Sequence, residues 1–286
     1  MNPFYKEHQS AISTFIKMAL KEDIGSGDHT SLACLSDSTQ AKARLLVKEE
    51  GIIAGVALAE IIFRQVNPSI QVQILKKDGE SIAVGEDVVR IEGPQIDLLK
   101  TERLVLNCMQ RMSGIATLTH RLKNMISHTK CELLDTRKTT PNFRYPEKWA
   151  VKIGGGQNHR MGLFDMIMIK DNHVDFNGTM KNTLEKTERY LNHINHAIKT
   201  VVEVRNIEEI EACLNFPWIH RLLLDNMEPN ELKEALKCIG GKFQTEASGN
   251  ITEDNISSIA ETGVDYVSLG ALTHSAKNID LSLKSI

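Results

Sequence analysis

The stretch Glu132-Leu133-Leu134-Asp135-Thr136-Arg137-Lys138-Thr139-Thr140-Pro141 joins a short apolar segment to a run of charged and hydroxyl residues. Similar apolar segments recur along the rest of the chain, and each is followed by polar residues or glycine: 166–169, 201–204, 222–224, 245–247 and 266–269. Helical stretches lie between them, and this alternation is typical of parallel β/α units. The pattern predicts an α/β barrel in the C-terminal part of the chain.

This barrel is expected to be incomplete. A closed barrel of this kind has eight strands, whereas six are recognisable here. The carboxyl ends of parallel strands share one face, and barrel active sites lie on that face. We therefore expect the polar residues that follow the strands to form the functional site.

The N-terminal part of the chain has a different rhythm. A helical stripe at 9–21 precedes short β-branched segments and one further helix, at 43–47, 55–65, 70–75 and 87–91. These features indicate a mixed sheet-and-helix unit. Helical periodicity returns at 97–112, and Ser113-Gly114 predicts a break before a second helix that ends near residue 128. We expect an N-terminal domain at 1–112 and the barrel domain at 113–286, whose C-terminal segment can pack back on the N-terminal domain.

Composition excludes several classes of function. With 286 residues, 41% hydrophobic residues, 25% charged residues and a formal net charge of −3, the chain resembles a globular protein without an extended basic face. We therefore expect neither a nucleic-acid partner nor a membrane partner. The five cysteines form no Cys-x-x-Cys pair, and no apolar run reaches the length of a membrane span. Because residues 1–10 carry charges and no apolar segment, we expect no secretory leader. A cytoplasmic protein with reduced thiols is expected.

Positive charge is concentrated in one part of this acidic chain, at Arg137, Lys138, His159, Arg160 and Lys170. The cluster predicts a small substrate that carries several negative charges. Arg137 and Arg160 are the strongest candidates, because a guanidinium group matches a carboxylate or a phosphate with two hydrogen bonds. Salt-bridged surface arginines are the alternative interpretation.

The other members of this cluster have more than one interpretation. Lys138 and Lys170 suit phosphate binding, and a desolvated lysine can alternatively act as a Schiff-base nucleophile. His159 can hydrogen-bond a carboxylate, act as an acid or base, or be an ordinary polar loop residue.

Carboxylates and glycines follow the later strands. Glu203 and Asp225 end consecutive strands, where they suit sugar hydroxyls or Mg²⁺ with its water ligands. Ion pairs with nearby cations are the alternative. Ser248-Gly249-Asn250 and Gly270 follow the last two strands, and loops at such positions commonly bind phosphate. On this side of the site we therefore expect sugar hydroxyls or Mg²⁺ at the carboxylates and a phosphate at the loops.

Motifs along nearly the whole chain resemble those of the quinolinate phosphoribosyltransferase family, the decarboxylating nicotinate-nucleotide pyrophosphorylases of NAD synthesis. The resemblance is carried by 19–28, 101–103, 113–117, the 135–141 signature, Gly154-Gly155-Gly156-Gln157-Asn158-His159-Arg160, Leu223-Leu224-Asp225-Asn226 and 269–275. It implies an N-terminal α/β sandwich and an open α/β barrel. It also implies a homodimer in which Arg103 reaches the neighbouring subunit's site, with assembly of dimers into hexamers left open.

The resemblance assigns substrate-binding roles to single residues. The two carboxylates of quinolinate would be held by Arg137, His159 and Arg160, with Arg103 from the partner. Lys138 and Lys170 would contact substrate and phosphates. The ribose hydroxyls and the Mg²⁺ of phosphoribosyl pyrophosphate would be served by Glu203 and Asp225, the metal through water. The 5′-phosphate would lie at Ser248, Gly249, Asn250 and Gly270.

The implied reaction joins quinolinate to phosphoribosyl pyrophosphate and releases CO₂, which yields nicotinate mononucleotide and pyrophosphate. Its expected catalytic residues are Lys138, Lys170, Glu203 and Asp225, and Mg²⁺ is the expected cofactor, with no organic cofactor. Two departures from the family pattern, Asn142-Phe143 in place of Gly-Leu and Val201 in place of a glutamate, remove no expected ligand.

Three alternatives to this reaction remain open at the level of sequence. The first is a related phosphoribosyltransferase that acts on another acid, and the second is a Schiff-base barrel lyase. The third is a phosphosugar-binding barrel without activity, which would gain nothing from Glu203 and Asp225 among the cations.

Overall fold

The computed structural model describes residues 2–36, 39–194 and 198–286. Its helices are α1 (Pro3–Ile24), α2 (His29–Cys34), α3 (Val56–Val66), α4 (Gln95–Met125), α5 (Arg144–Ile153), α6 (Asp171–Asn177), α7 (Met180–His193), α8 (Ile207–Cys213), α9 (Pro229–Ile239), α10 (Ile256–Ala260) and α11 (Ala271–His274). Its strands are β1 (Gln40–Val47), β2 (Gly51–Ile52), β3 (Gln71–Ile74), β4 (Ser81–Ile82), β5 (Asp87–Pro94), β6 (Glu132–Leu134), β7 (Ile167–Ile169), β8 (Thr200–Val204), β9 (Arg221–Asp225), β10 (Gln244–Ser248), β11 (Tyr266–Ser268) and β12 (Leu281–Ser285).

The chain forms two compact units. The first contains Met1–His120, Lys138–Gly155 and Ala271–Ile286, and the second contains Arg121–Arg137 and Gly156–Gly270. Helix α4 contributes residues to both units, and the predicted boundary between residues 112 and 113 lies inside this helix.

The first unit is built on an antiparallel sheet with the strand order β12-β1-β5-β3. Buried and more exposed residues alternate along the second half of β1, because one face of the strand is turned to the core and the other is not. Helix α3 contributes Leu58, Ile62 and Phe63 to the buried apolar core. The last strand of the chain, β12, pairs with β1 in this sheet. Together these elements confirm the predicted N-terminal α/β sandwich.

Helix α4 corrects one sequence prediction, because it runs without a break through Ser113 and Gly114. The Ser113 hydroxyl accepts a hydrogen bond from Ala54 N at 3.0 Å, so Ser113 links α4 to the segment that follows β2. A Cβ atom at Gly114 would collide with the carbonyl oxygen of Lys277. The two residues are therefore small because other backbone packs closely against the helix, and not because the helix ends there.

The second unit contains six parallel strands in the order β6-β11-β10-β9-β8-β7. The central strand β9 is nearly continuous in apolar residues, and Leu222, Leu223 and Leu224 are all buried, as expected for a sheet covered on both faces. Among the described strands no pairing joins β6 to β7, so the sheet does not close. This arrangement confirms the predicted open α/β barrel.

Helices of the second unit begin and end at recognisable signals. Helix α9 begins with Pro229, and Gly240, the residue after its last residue Ile239, has a left-handed φ of 58°. Proline is well suited to the first turn and glycine to the position after the last. Apolar residues of α9, among them Leu232 and Ala235, are buried in the unit.

The five cysteines are free, and Cys108, Cys131 and Cys213 are buried. Burial raises the pKa of each of these three thiols to about 12, so they are not reactive at neutral pH. The part of the chain that the structure describes contains no helix long and apolar enough to cross a membrane.

Candidate active site

Six loops of the second unit meet at the carboxyl edge, by which we mean the side of the parallel sheet where its strands end. Because every neighbouring pair of strands is parallel, the residues that follow them collect on this one side. The residues placed there are Asp135 to Arg137, Lys170, Glu203, Asp225, Ser248 to Asn250 and Gly270. Lys138 and Arg103 belong to the first unit.

The buried carboxylate of Asp135 holds the loop that carries His159. Its Oδ1 accepts a hydrogen bond from His159 N at 2.8 Å, and its Oδ2 accepts one from Asn158 Nδ2 at 2.6 Å. Next to it, Gln157 N donates to Leu133 O at 2.8 Å, so the loop continues the hydrogen bonding of strand β6. The glycine-rich run at 154–156 is thus followed by a firmly held segment.

His159 and Arg160 are both less than 10% exposed at the end of this segment. Arg160 N donates a hydrogen bond to His159 Nδ1 at 2.8 Å, and Arg160 Nη1 donates to Met166 O at 3.1 Å. Burial lowers the pKa of Arg160, and the positive charge of Arg137 lowers it further, while Asp165 partly opposes both effects. Two guanidinium groups therefore lie close enough to repel each other.

Arg137 and Lys170 present further positive charge to solvent. Both side chains are exposed, and among the described residues no carboxylate lies within ion-pairing distance of either. In the first unit, Lys138 is also exposed, and its backbone oxygen accepts a hydrogen bond from Thr273 Oγ1 at 2.7 Å. Arg137 and Lys170 are thus two cations of the carboxyl edge that form no ion pair among the described residues.

The acidic part of the carboxyl edge is formed by Glu203 and Asp225, which are both half-buried. Glu203 Oε1 accepts a weak hydrogen bond from Asp171 N at 3.3 Å. Burial raises the pKa of Glu203, and the negative charges of Asp225 and Asp171 add to this effect, although the Asp171 N–H and Lys170 oppose it. Asp225 Oδ2 accepts a hydrogen bond from Asn226 Nδ2 at 2.7 Å, which orients that carboxylate.

A tight turn follows strand β10 at Ser248, Gly249 and Asn250. Gly249 has a φ of 92°, and a Cβ atom at this position would collide with the side chain of Asn226. Asn226 N donates to Ser248 O at 2.8 Å, and Asn250 Nδ2 donates to Asn226 Oδ1 at 3.0 Å. The loops after β9 and β10 are therefore locked together, which requires glycine at position 249.

Three residues that contribute to this site were not singled out from sequence. Asn226 orients Asp225 and braces Gly249, and it has a left-handed φ of 54°. Glu246 and Arg221 form a buried ion pair at 2.9 Å inside the sheet. A charged residue in the middle of a short strand was a signal that could have drawn attention to Glu246.

The candidate ligands for a metal ion are the two carboxylates of the acidic part. Among the described residues no group of three or more His, Cys, Asp or Glu side chains could hold a metal. Two oriented carboxylates suit Mg²⁺, because this ion keeps several water ligands and commonly binds together with substrate phosphates. Glu203 and Asp225 would hold the ion through those waters.

Comparisons with known proteins assign the family. A family model described as quinolinate phosphoribosyl transferase, N-terminal domain, matches residues 28–113, and the C-terminal domain model of the same family matches residues 115–284. The quinolinate phosphoribosyltransferase (decarboxylating) 2b of Nicotiana tabacum mitochondria is 45% identical over 284 residues, which cover 94% of this chain and 80% of that protein. A probable nicotinate-nucleotide pyrophosphorylase of Bacillus subtilis is 38% identical and covers 92% of this chain and 89% of the relative.

Solved structures agree with these matches. The crystal structure of NadC from Streptococcus pyogenes superposes with a TM-score of 0.89 at 35% sequence identity, and the alignment covers 100% of this chain and 99% of that one. The nicotinate-nucleotide pyrophosphorylase of Francisella tularensis gives a TM-score of 0.85 at 35% identity, with 97% and 96% of the two chains covered. Likeness of this extent in both sequence and fold shows that the chain belongs to the quinolinate phosphoribosyltransferase family of pentosyltransferases.

Proposed function

We propose that the protein transfers the phosphoribosyl group of phosphoribosyl pyrophosphate to quinolinate with loss of one carboxylate as CO₂. The products are nicotinate mononucleotide and pyrophosphate, and the reaction belongs to NAD biosynthesis. One observation carries the proposal: Arg137 and Arg160 lie close together as cations on the same sheet edge as the carboxylates Glu203 and Asp225. The two arginines suit a dicarboxylate, and the two carboxylates suit the ribose hydroxyls and the metal ion of the phosphoribosyl donor.

The dicarboxylate is suited to the basic group. Quinolinate carries two adjacent carboxylates, and two neighbouring guanidinium groups can each accept one of them with two hydrogen bonds. The mutual repulsion of Arg137 and Arg160, which contributes to the lowered pKa of Arg160, would be relieved by such a ligand. The roles expected of Lys138 and of Arg103 from a partner subunit stay predictions.

The phosphoribosyl donor is suited to the acidic group and the turns beside it. Carboxylates accept hydrogen bonds from ribose hydroxyls, so Glu203 and Asp225 would orient the sugar. Backbone N–H groups of the turn at Ser248, Gly249 and Asn250, together with Gly270, would bind the 5′-phosphate. Mg²⁺, when bound with the donor, would neutralise the charge of the departing pyrophosphate.

The bond changes follow from this arrangement. The nitrogen lone pair of quinolinate forms a bond to C1 of the ribose while the bond from C1 to the pyrophosphate oxygen breaks. Arg137 and Arg160 would hold the ring in line for this attack, and Lys170 would stabilise the leaving group. The ring nitrogen then carries a positive charge and accepts the electron pair left by CO₂, after which a proton replaces the lost carboxylate.

An initial-rate assay with quinolinate, phosphoribosyl pyrophosphate and Mg²⁺ tests this proposal. We expect stoichiometric release of CO₂ and pyrophosphate, and no turnover when nicotinate replaces quinolinate. Turnover of another acid without turnover of quinolinate would contradict the proposal and favour the related phosphoribosyltransferase. A Schiff-base lyase is not favoured, because Lys138 and Lys170 are exposed and a nucleophilic lysine needs a desolvated amine.

A homodimer with Arg103 supplied to the neighbouring site is part of the proposal. Arg103 lies on the exposed side of α4, and among the described residues it makes no hydrogen bond or ion pair. Leu99, one turn earlier on the same helix, is 45% exposed although it is apolar. An exposed apolar residue beside an unpaired cation is typical of a surface that a partner covers.

Complementation between two impaired variants, assayed at a quinolinate concentration well below KM, tests the shared site. Co-expressed Arg103→Ala and Arg137→Ala chains form hybrid dimers with one intact site each if Arg103 acts across the interface. About one quarter of the wild-type activity is then expected from random assembly. Activity no higher than the sum of the two parent variants would contradict a shared site.

The cytoplasmic location expected from sequence stays a prediction, since the named relative from Nicotiana tabacum is mitochondrial.

A further inference from the structure

A carboxylate is buried inside the parallel sheet of the second unit. Glu246 lies in the middle of β10 and its side chain is completely inaccessible to solvent. Its Oε2 atom is 2.9 Å from Arg221 Nη1 and 3.3 Å from His159 Nε2. We call these three residues the Glu246 cluster.

The Glu246 cluster is not explained by fold stability alone. Removing charged groups from water is costly, and a buried ion pair often contributes less than apolar residues of similar size would. Burial alone would raise the pKa of Glu246, but the neighbouring His159 imidazole and the charge of Arg221 hold that pKa below its ordinary value. The carboxylate is therefore anionic, and its partners are positioned around it.

His159 links the Glu246 cluster to Arg160, the next residue in the chain. The Nδ1 atom of His159 accepts a hydrogen bond from Arg160 N at 2.8 Å, so this nitrogen carries no proton. The ring proton must then be on Nε2, the atom that faces Glu246. Both ring nitrogens thus face protein groups, Nδ1 the backbone of Arg160 and Nε2 the carboxylate of Glu246.

Arg221 completes the arrangement from the opposite side. Its guanidinium carbon lies 4.0 Å from the centre of the Tyr266 ring, and its Nη1 donates to the same Glu246 oxygen that faces His159. Arg221 therefore restrains the carboxylate, the carboxylate restrains the imidazole, and the imidazole restrains the backbone of Arg160. The chain of contacts ends at a residue expected to bind a substrate carboxylate.

We infer that Glu246 is a positioning residue for the recognition of quinolinate. It fixes the orientation of His159, and through His159 it places Arg160 for the dicarboxylate. This inference rests on the proposed function. The donor-binding residues Glu203 and Asp225 are not part of the cluster, so their substrate should not sense it.

Kinetics of Glu246→Gln test the inference, because this change removes the charge while it keeps the shape of the side chain. We expect the quinolinate KM to rise roughly 10-fold, a typical effect of losing one charge-assisted contact. The KM for phosphoribosyl pyrophosphate should stay within about twofold of wild type. Equal changes in both KM values, or an unchanged quinolinate KM in a folded variant, would overturn the inference.

A matched control is available on the same sheet. Glu132 in β6 is a partly exposed carboxylate that pairs with Lys123 at 2.7 Å, so Glu132→Gln removes a charge from the same sheet outside the cluster. This variant should leave both KM values unchanged. If the wild type does not turn over quinolinate, the proposed function fails. If the wild type turns over quinolinate and Glu246→Gln has the same KM values as Glu132→Gln, only the inference fails.

Imidazole ¹⁵N spectra give a readout that a merely structural role would not change. In the wild type we expect His159 to show a protonated Nε2 and an unprotonated Nδ1, and in Glu246→Gln a shifted Nε2 resonance, because the Nε2 proton then faces a neutral amide in place of a carboxylate. If Glu246→Gln does not fold, Arg221→Gln combined with Glu246→Gln replaces the ion pair with a neutral pair. An unchanged Nε2 resonance in the folded variant would contradict the inference.

Discussion

The carboxyl edge has a basic part, formed by Arg137 and Arg160, and an acidic part, formed by Glu203 and Asp225. The two parts differ in how their charges are held. Arg137 is exposed and makes no ion pair among the described residues, and Arg160 has a lowered pKa because it is buried near Arg137. Glu203 shows the opposite perturbation, because burial and neighbouring carboxylates raise its pKa. Each part therefore holds charge that the protein does not fully compensate: a dicarboxylate would relieve the basic part, and ribose hydroxyls with a metal ion would relieve the acidic part. The comparison teaches that one sheet edge can present two groups of side chains whose charges have opposite signs.

The largest effect is expected when the basic part loses a guanidinium group. Arg137→Ala or Arg160→Ala removes a charge-assisted contact worth ~1.5–3 kcal/mol, which lowers kcat/KM for quinolinate roughly 10- to 150-fold. The KM for phosphoribosyl pyrophosphate should change little. Initial rates measured against each substrate separately check this prediction.

Arg189→Ala is the matched control for these two variants, because Arg189 is an exposed arginine on α7 of the same unit. It should behave like the wild type. Unchanged quinolinate kinetics in both Arg137→Ala and Arg160→Ala would contradict the assignment of the basic part.

A smaller effect is expected on the other substrate when the acidic part is neutralised. Glu203→Gln and Asp225→Asn should each raise the KM for phosphoribosyl pyrophosphate by about 10-fold, because a neutral amide is a weaker acceptor for ribose hydroxyls and for water bound to Mg²⁺. The quinolinate KM should remain near its wild-type value. Glu185→Gln, an exposed position on α7, provides the control. Equal effects on both substrates would indicate that these carboxylates have only a structural role.

A change in the turn after β10 should affect the acidic part through geometry alone. Gly249→Ala adds a Cβ atom to a residue whose φ of 92° is unfavourable for any residue but glycine, and that Cβ atom would collide with the Asn226 side chain. We expect a loss of ~1–3 kcal/mol in the free energy of unfolding and a raised KM for phosphoribosyl pyrophosphate.

Gly263→Ala separates the two causes in the Gly249 variant. Gly263 has a similar φ of 98°, but a Cβ atom there would meet only Leu236 at an ordinary 3.9 Å. This control should lose stability without a change in either KM. Normal donor kinetics in Gly249→Ala would show that the turn does not contact the donor.

The smallest effect is expected from pH. Because the pKa of Glu203 is raised, its carboxylate becomes protonated at a higher pH than an ordinary glutamate. The anionic form is the one suited to the ribose and the metal, so the KM for phosphoribosyl pyrophosphate should rise as pH falls through this raised pKa. Glu203→Gln should abolish that part of the pH profile. An identical profile in wild type and variant would assign the titration to another group.

Much of the second unit could be predicted from sequence, because its information is local. Each strand was visible as a short apolar run, and parallel pairing then placed residues such as Lys170 and Asp225 on one edge. The roles of individual residues in binding were expected from residue chemistry and resemblance, and they stay predictions.

Features that depend on distant parts of the chain could not be predicted in this way. The break expected at Ser113-Gly114 was wrong, because a glycine costs a helix only about 1 kcal/mol and the close approach of Lys277 requires a small residue there. The Glu246 cluster was also missed, since Arg221 lies 25 residues away and His159 lies in a different loop. Sequence separation of this size leaves no local pattern.

Initial rates over a matrix of both substrate concentrations test the central claim most directly. The claim is that the basic part of the carboxyl edge binds quinolinate and the acidic part binds phosphoribosyl pyrophosphate. We predict a crossed result, in which Arg137→Ala raises only the quinolinate KM and Glu203→Gln raises only the KM for phosphoribosyl pyrophosphate. Parallel increases in both KM values for both variants would contradict the division of the site into two parts.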